Sequence, residues 1–363
     1  MRSALVRALS CTTGALAMLA AAGTMSAADA QQTVKLTFVS GYPPSATFVG
    51  SFLDHYVKDV AGQLARTGKY KIDWNLAHSG QIAKPRGEIE ALQSGLVEIA
   101  VIPTPAHFDR VPLYQVPYAT PFTTDDTAFL VTVIEGLEKK FPQYEAGWKA
   151  MGIRAIAVSA NVDNYVLLTK TKVTKIADFK GMKIGAVGAN MHYVTSVGAT
   201  GVTALATDWY PGLNSGLYEG IIGWKQVIGS FKLCEAAKFM LDGHVGSSSP
   251  LNLAVNPDAL QKMPEEVRNA ILAAAPSWHK GQIQILLDGA KAGLEYCTKE
   301  QGMTLTDMSP ADTAAWAKGL PPLGLEWAKV QDAKGLPGTG VLNAYMEAMR
   351  AGKQRVVRNW DKE

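Results

Sequence analysis

Apolar residues after position 30 recur with two different periods. From Phe48 to Val60 they recur at every fourth position, which predicts a helix with one buried face over residues 46–65. Residues 97–102 are continuously apolar, as is typical of a strand buried within a parallel sheet. Strands are predicted at 34–39, 70–76 and 97–102, with helices at 46–65 and 88–96 between them. Because parallel strands need crossover connections, this βαβαβ order predicts a parallel sheet.

The rest of the chain continues this alternation and then becomes helical. Further strands are predicted at 153–159, 165–169, 182–187, 201–205, 217–222 and 251–255. Helices are predicted at 126–140, 144–151, 310–318, 325–334 and 340–360. The pattern over residues 265–300 predicts one helix of roughly 50 Å. That length exceeds a single small domain, so we expect this helix to cross two lobes as a spine.

These elements predict an α/β fold of two lobes, each a mixed sheet flanked by helices. The chain of 363 residues is too long for one small core. It contains no internal repeat and no polar linker, which favours lobes joined by several crossings of the chain. We assign residues 31–161 and 249–288 to lobe I, and residues 162–248 and 289–363 to lobe II.

Residues 1–30 have the three-part pattern of a secretory signal peptide. Two arginines give a basic start, a short apolar run follows at residues 13–23, and an Ala-Asp-Ala cleavage motif ends at position 30. The apolar run is about half the ~20 residues that a spanning helix needs. Cys11 precedes this run, which argues against a lipid anchor. We expect a soluble exported protein that begins near Gln31.

Composition excludes further classes of protein. Without residues 1–30, 33 of the 35 basic and 31 of the 32 acidic residues remain, a net charge of +2. A nucleic-acid binder would carry a strongly basic face. Cys234 and Cys297 are then the only cysteines, too few for a disulfide scaffold. We expect two buried free thiols, with a single disulfide as the alternative.

The sequence lacks the motifs of catalysis and of metal binding. It has no Gly-x-Ser-x-Gly nucleophile elbow and no phosphate-binding loop, and its six histidines lack the spacing of a zinc site. The run Gly185-Ala-Val-Gly188 only partly matches a dinucleotide-binding turn. We interpret it as a strand-to-helix turn whose backbone amides face a cleft. We therefore expect no enzyme activity, no cofactor and no metal.

One segment carries the most specific pattern in the chain. Residues 176–184 read Ile-Ala-Asp-Phe-Lys-Gly-Met-Lys-Ile, Val-Gly-Ala follows, and residues 208–220 read Asp-Trp-Tyr-x-x-Leu-x-x-Gly-x-x-Glu-Gly. This order resembles the solute-binding proteins of TRAP (tripartite ATP-independent periplasmic) transporters. The resemblance extends over nearly the whole chain after residue 30.

The resemblance implies a fold, a function and partners. The fold would be that of a two-lobed periplasmic binding protein of the type II-like class, which closes over its ligand by hinge bending. The protein would capture a small organic acid in the periplasm and deliver it to the small and large permease subunits in the membrane. An ABC-type periplasmic binding protein is the alternative within this class, although the predicted spine helix favours the TRAP type. A secreted enzyme on a two-lobed scaffold is the alternative from another class.

The chain departs from this family where the family binds a carboxylate. The family's arginine follows the Lys-Gly-x-Lys strand, and that position is Gly185 here. A second arginine of the family corresponds to the neighbourhood of Tyr165. Two cations are candidates to replace them, namely Arg86 at the cleft edge of lobe I and Lys225 after the strand at 217–222. For each of them, the alternative is a solvated side chain on the surface without contact to a ligand.

Aromatic residues are concentrated at the predicted edges of the cleft. Each fits a core position by itself, but together they indicate a pocket with broad apolar walls, where ring stacking adds roughly 0.5–1.5 kcal/mol per pair. Asn190 either contacts the ligand or caps the helix that follows. We predict a monocarboxylate ligand with an aromatic or extended apolar body. Its predicted contacts are Tyr42, Arg86, Tyr165, Asn190, His192, Trp209, Trp224 and Lys225, with Tyr193 as a further aromatic neighbour.

Overall fold

The computed structural model describes residues 31–188 and 190–363. The predicted signal peptide lies outside these residues. The strands of the described chain are β1 (Gln32–Val39), β2 (Tyr70–Ala77), β3 (Ile99–Pro103), β4 (Arg154–Val162), β5 (Tyr165–Thr169), β6 (Lys183–Ala186), β7 (Thr200–Thr203), β8 (Gly220–Trp224), β9 (Phe239–Asp242), β10 (Ser248–Val255) and β11 (Thr304–Asp307).

Helices make up most of the remaining described chain. The α-helices are α1 (Thr47–Ser51), α2 (Val57–Ala65), α3 (Glu88–Gln93), α4 (Val116–Ala119), α5 (Thr127–Lys140), α6 (Gln143–Ala150), α7 (Asn190–Thr195), α8 (Ala206–Ser215), α9 (Lys225–Ser230), α10 (Leu233–Ala236), α11 (Pro257–Lys262), α12 (Glu265–Ala273), α13 (Ala275–Glu295), α14 (Pro310–Gly319), α15 (Leu323–Ala333) and α16 (Gly338–Ala351). One π-helical turn, Phe52–Tyr56, joins α1 to α2, and another, Tyr296–Glu300, follows α13. Among the described helices, none combines the length and apolar character that crossing a membrane requires.

The first sheet has the strand order β2-β1-β3-β10-β4. β1 is parallel to β2 and β3, whereas β10 is antiparallel to β3 and β4. The predicted βαβαβ unit is therefore confirmed. Its core forms where Phe38 of β1 stacks on Phe52, with ring centroids 3.8 Å apart, and where Trp278 of α13 packs into the same cluster.

The second sheet has the order β11-β9-β5-β8-β6-β7. β5 is antiparallel to β8 and β9, and β6 is parallel to β7 and β8. The sequence pattern does not predict β9 and β11, which have four residues each. With two mixed sheets flanked by helices, the predicted α/β class is confirmed.

The helix predicted over residues 265–300 is not continuous. It divides at Ala274 into α12 and α13, because Pro276 lies in the first turn of α13 and lacks the N–H group that an unbroken helix uses. Helix α13 still spans 21 residues, roughly 32 Å. It packs against β4 and α1 of the first sheet's layer and against α9 beside the second sheet. Gly229 and Gly293 allow this close approach, since a Cβ on Gly229 would overlap the Cα of Gly293.

Cys234 and Cys297 form a disulfide that ties α10 to the turn after α13. The expectation of two free thiols is wrong, and the alternative of a single bridge is correct. The two cysteines are 63 residues apart, so their spacing in the sequence does not show that the fold brings their Cα atoms to 5.6 Å. In the chain-entropy description, closing a loop of this length contributes about 4 kcal/mol to stability.

The helix predicted over residues 340–360 ends earlier than expected. Helix α16 stops at Ala351, and Lys353 then adopts the left-handed conformation with a φ of 53°. The chain folds back, and the buried indole N–H of Trp360 donates to the backbone oxygen of Pro121 at 2.7 Å. Trp360, the apolar residue at the end of the predicted helix, therefore anchors a non-helical tail instead.

Candidate ligand-binding site

Two sheet edges meet where the chain crosses between the sheets. The first crossing runs from Val162, at the end of β4, to Tyr165, at the start of β5; the second runs from Asp242 to Ser248. Ser248 pairs with Val162 in the first sheet, and Tyr165 pairs with Trp224, at the end of β8, in the second. The carboxyl ends of the parallel strands therefore lie at these crossings. Open α/β sheets usually bind ligands at such ends.

Four polar side chains converge at this edge: Tyr118, Tyr165, Asn190 and Ser248, which we call the tyrosine cluster. The Tyr118 and Tyr165 hydroxyl oxygens lie 3.0 Å apart, within hydrogen-bond distance. Asn190 and Ser248 lie beside these hydroxyls, where they oppose the increase in phenol pKa that burial causes. The exposed fractions of the four residues are between 3% and 6%. The cluster joins the two sheets, because Tyr118 and Ser248 come from α4 and β10, and the other two come from β5 and α7.

Burial decides the charge state of the two phenols. It raises the pKa of Tyr165 well above the usual value, and the neighbouring Tyr118 adds to this increase. Burial also raises the pKa of Tyr118, although the polar side chains of Ser249, Tyr165 and Ser248 nearby oppose this increase. Both side chains are therefore neutral near pH 7 and keep a proton to donate.

Two atoms of the tyrosine cluster lack a hydrogen-bond partner among the described residues. They are Asn190 Oδ1 and Ser248 Oγ, and both are buried. Tyr193 on the same helix behaves differently, because its hydroxyl donates to the backbone oxygen of Tyr118 at 2.6 Å. An unpaired buried polar atom costs about 1–3 kcal/mol, so most are paired. The unpaired atoms, together with their position where the two sheet edges meet, make this cluster the candidate site.

A charged network lies on the same edge and consists of Lys225, Asp242 and Asp163. Lys225 Nζ lies 2.6 Å from Asp242 Oδ2. Burial alone would lower the pKa of Lys225, but the charge and hydrogen bond of Asp242 raise it above the usual value. Burial acts to raise the pKa of Asp242, yet Lys225 holds it below its usual value. The sequence allows two interpretations of Lys225, a solvated side chain or a ligand contact. The structure shows a third arrangement, an ion pair with Asp242 within the protein.

Asp163 occupies the first crossing between the sheets. Its Oδ1 accepts the N–H of Asn164 at 2.7 Å and the N–H of Lys225 at 3.1 Å. Its Oδ2 is buried and has no hydrogen-bond partner in the part of the chain that the structure describes. Burial raises the pKa of Asp163 to about 7, although the N–H of Asn164 and the charge of Lys225 oppose the increase. This carboxyl therefore gains or loses its proton near neutral pH.

The two tryptophans predicted as ligand contacts lie in a row of edge-on aromatic rings that ends at Tyr165 of the tyrosine cluster. Trp209 is buried in α8, and its indole N–H donates to the backbone oxygen of Ala204 at 3.2 Å. Its ring meets that of Trp224 edge-on at 5.6 Å, and Trp224 meets Tyr165 edge-on at 6.4 Å. Trp224 is half-buried and borders the cluster, whereas Trp209 packs behind it in the core.

The remaining predicted residues do not join the tyrosine cluster. Tyr42 follows β1 and packs edge-on against Phe48 at 5.3 Å. Burial and then the charge of Glu88 raise its pKa to about 12, while Arg86 opposes the increase. Arg86 is exposed and has a φ of 78°, which is rare for a residue other than glycine. His192 is also exposed, on the face of α7 opposite the buried Tyr193.

Gly185, at the position of the family's arginine, faces away from the tyrosine cluster. A Cβ there would lie 3.1 Å from a methyl group of Ile221 and 3.3 Å from the ring of Tyr218. Ile221 and Tyr218 belong to the core between the second sheet and α8, whereas Tyr165 belongs to a different core cluster. A larger side chain at position 185 would therefore enter the core rather than the candidate site.

Sequence reasoning missed Tyr118, Ser248 and Asp163. Tyr118 lies in a proline-rich stretch without a clear period, and Asp163 lies between two predicted strands. Residues 247–249 are three consecutive serines, and the last two of them begin the fully buried strand β10. Such a run of hydroxyls at the edge of a sheet was the one signal that could have indicated a polar site.

Two surface depressions lie elsewhere on the molecule. One, of about 610 Å³, is bordered by α2 and α12 and includes Gln63 and Glu266. The other, of about 770 Å³, lies between α14, α15 and the C-terminal residues. Both are open to solvent and neither includes a residue of the tyrosine cluster. Volume alone therefore does not identify the site, whereas the convergence of buried polar groups does.

Comparisons with solved structures support this architecture. A TRAP periplasmic solute-binding protein from Bordetella bronchiseptica, with bound (R)- and (S)-mandelate, superposes with a TM-score of 0.74 at 20% identity, covering 88% of this chain and 99% of the other. A marine metagenome TRAP solute-binding protein in complex with metahydroxyphenylacetate gives a TM-score of 0.74 at 19% identity, with coverages of 88% and 99%. DctP7 from Bordetella pertussis, a receptor that binds pyroglutamic acid, gives 0.71 at 18% identity, with coverages of 86% and 99%. At these identities the similarity shows a shared two-lobed fold.

The sequence itself establishes the family. No curated protein matches it. The family model of bacterial extracellular solute-binding proteins, family 7 (DctP), matches residues 44–330. This range includes both crossings, the tyrosine cluster and the charged network. The chain therefore belongs to the bacterial extracellular solute-binding proteins of family 7, as its resemblance to the TRAP solute-binding proteins predicts.

Proposed function

We propose that this protein captures a monocarboxylate with an aromatic or extended apolar body and delivers it to a TRAP permease. The family supports the binding role. Proteins of the same fold hold mandelate, metahydroxyphenylacetate and pyroglutamic acid, which are all organic acids. The observation that carries the proposal is the tyrosine cluster, with its neutral donors and its unpaired buried atoms between two sheet edges.

The chemistry of the tyrosine cluster suits a carboxylate without an arginine. One phenol hydroxyl donates to the other, which leaves one phenol O–H, the Ser248 hydroxyl and the Asn190 amide N–H groups to donate hydrogen bonds to a carboxylate oxygen. Hydrogen bonds to a charged group contribute about 1.5–3 kcal/mol each, which offsets part of the cost of burying the charge. Trp224 is half-buried beside Tyr165 and would contact the apolar body of the ligand. Tyr42, Arg86 and His192 would line the outer wall of the cleft.

The two crossings of the chain provide the proposed hinge. Lobe I would comprise residues 31–161 and 249–288, and lobe II residues 162–248 and 289–363. The crossings after Val162 and before Ser248 lie next to two of these boundaries and support them. A ligand that contacts both lobes stabilises the closed state over the open one, so that binding itself drives closure. The protein would act in the periplasm, without catalysis, and its partners would be the small and large permease subunits.

A melting-temperature screen with paired compounds tests the ligand class. Each acid is compared with its uncharged amide, for example phenylacetate with phenylacetamide. Because a ligand of the folded state raises stability by mass action, aromatic and apolar monocarboxylates should raise the melting temperature, and the amides should not. Stabilisation only by short dicarboxylates or by sugar acids would contradict the proposed ligand class.

A further inference from the structure

A second pair of buried polar side chains lies at the carboxyl edge of the first sheet. Glu88 is the first residue of α3, and His107 ends the short 3₁₀ turn Thr104–His107 that directly follows β3. The Glu88 and His107 side chains are 0% and 4% exposed. Glu88 Oε2 and His107 Nε2 face each other at 3.8 Å, which is too long for a direct hydrogen bond.

The fold holds Glu88 in place through its other oxygen. Glu88 Oε1 accepts the N–H of Gly41, which follows β1, at 3.1 Å. Glu88 Oε2 and His107 Nε2 are both buried and have no hydrogen-bond partner within residues 31–188 and 190–363 as described. An unpaired oxygen of a buried carboxylate lowers stability more than an unpaired neutral group does. Proteins retain such unfavourable arrangements mainly at functional sites.

We propose that Glu88 and His107 form a subsite for a hydroxyl group of the ligand. A hydroxyl both donates and accepts, so it can donate to Glu88 Oε2 and accept from His107 in its Nε2–H tautomer. One oxygen placed about 2.8 Å from each of two atoms that are 3.8 Å apart satisfies both hydrogen bonds. This inference rests on the proposed function and narrows it: the ligand is a hydroxy acid whose carboxylate lies at the tyrosine cluster.

Three acids with the same skeleton test this subsite. Phenylacetate has no hydroxyl, mandelate carries one on the α-carbon, and 3-hydroxyphenylacetate carries one on the ring. We expect at least one hydroxylated acid to bind about tenfold or more tightly than phenylacetate in calorimetry. Glu88→Gln should remove most of this advantage and leave the affinity for phenylacetate unchanged. The control is Glu90→Gln, a partly exposed carboxylate on the same helix that pairs with Arg110, and it should preserve the advantage.

Equal binding of all three acids to the wild type would overturn the subsite while leaving the proposed carboxylate function intact. An equal loss of affinity for all three in Glu88→Gln would also overturn it. The melting temperature without ligand gives an independent test. A ligand subsite predicts that Glu88→Gln melts at or above the wild-type temperature, because Oε2 has no hydrogen-bond partner to lose and the contact of Oε1 with Gly41 is kept. A fall of several degrees in the melting temperature would show that Glu88 and His107 form a structural pair, and this would refute the subsite. The measurement needs no ligand, so it decides about the subsite even if none of the three acids binds and the proposed ligand class fails.

Discussion

The tyrosine cluster and the charged network lie on the same edge, but they satisfy their polar groups in different ways. In the network, Lys225 and Asp242 neutralise each other at 2.6 Å, so the strongest charges are already paired within the protein. In the cluster, every group is neutral, yet Asn190 Oδ1 and Ser248 Oγ have no partner among the described residues. The Lys225–Asp242 pair is therefore already satisfied within the protein, whereas the tyrosine cluster keeps atoms with which a ligand can form hydrogen bonds.

The largest expected effect concerns Asp163 and pH. The folded protein holds this proton up to about pH 7, whereas an unfolded aspartate releases it near pH 3.8. Between these values the folded state binds more protons, so the contribution of Asp163 to stability falls as the pH rises, by on the order of 4 kcal/mol. Urea unfolding at pH 4.5, 6 and 7.5 should show this fall in the wild type and a much smaller one in Asp163→Asn. The exposed Asp73→Asn serves as the control and should keep the wild-type slope; an unchanged slope in Asp163→Asn would contradict the prediction.

Removing the lysine of the charged network should come next in size. Lys225→Met leaves Asp242 buried without its partner, and we expect the free energy of unfolding to fall by about 2 kcal/mol. This is less than for a fully buried pair, because 27% of the Lys225 side chain is exposed. Lys232→Met is the matched control, since its pair with Glu235 is long, at 3.9 Å, and its side chain is 69% exposed. The control should change the free energy of unfolding by less than about 0.5 kcal/mol. Equal losses in both variants would contradict a stabilising role of the Lys225–Asp242 pair.

Within the tyrosine cluster, Tyr165→Phe should weaken ligand binding in addition to removing the hydrogen bond to Tyr118. Losing one hydroxyl donor to a carboxylate should lower affinity for the best acid of the screen about tenfold. Tyr144→Phe is the control, because Tyr144 is equally buried but its hydroxyl donates to the backbone oxygen of Leu113 at 3.0 Å. We expect that control to lose stability and to keep its affinity. Calorimetry on both variants decides, and full affinity in Tyr165→Phe would place the carboxylate elsewhere.

The smallest effect compares two neighbouring serines. Ser248→Ala removes an unpaired hydroxyl, so stability without ligand should stay the same while affinity falls about threefold. Ser247→Ala removes a hydroxyl that donates to the backbone oxygen of Val162 at 2.6 Å. It should lower the free energy of unfolding by about 1 kcal/mol and leave affinity unchanged. Denaturation and calorimetry on both variants would show the reverse pattern if Ser248 were structural.

Much of the fold was predictable, whereas the site was predictable only in part. Periodicity located β1, β2 and β3 and their parallel order, because an amphipathic pattern of useful length reflects local geometry. It failed at the four-residue strands β9 and β11, and at Ala274, where a proline divides one apolar pattern into two helices. Of the predicted site residues, Tyr165 and Asn190 lie in the tyrosine cluster and Trp224 borders it. Lys225 belongs to the charged network, and His192 is exposed.

The sequence by itself determined the α/β alternation and the family, because both are written in short segments whose spacing can be read directly. Only the tertiary structure decided which distant residues meet. Tyr118 and Tyr165 are separated by 47 positions and Cys234 and Cys297 by 63, yet each pair is in contact. Such contacts depend on strand register and on where the chain crosses between sheets, and these result from packing across the whole molecule rather than from any local pattern.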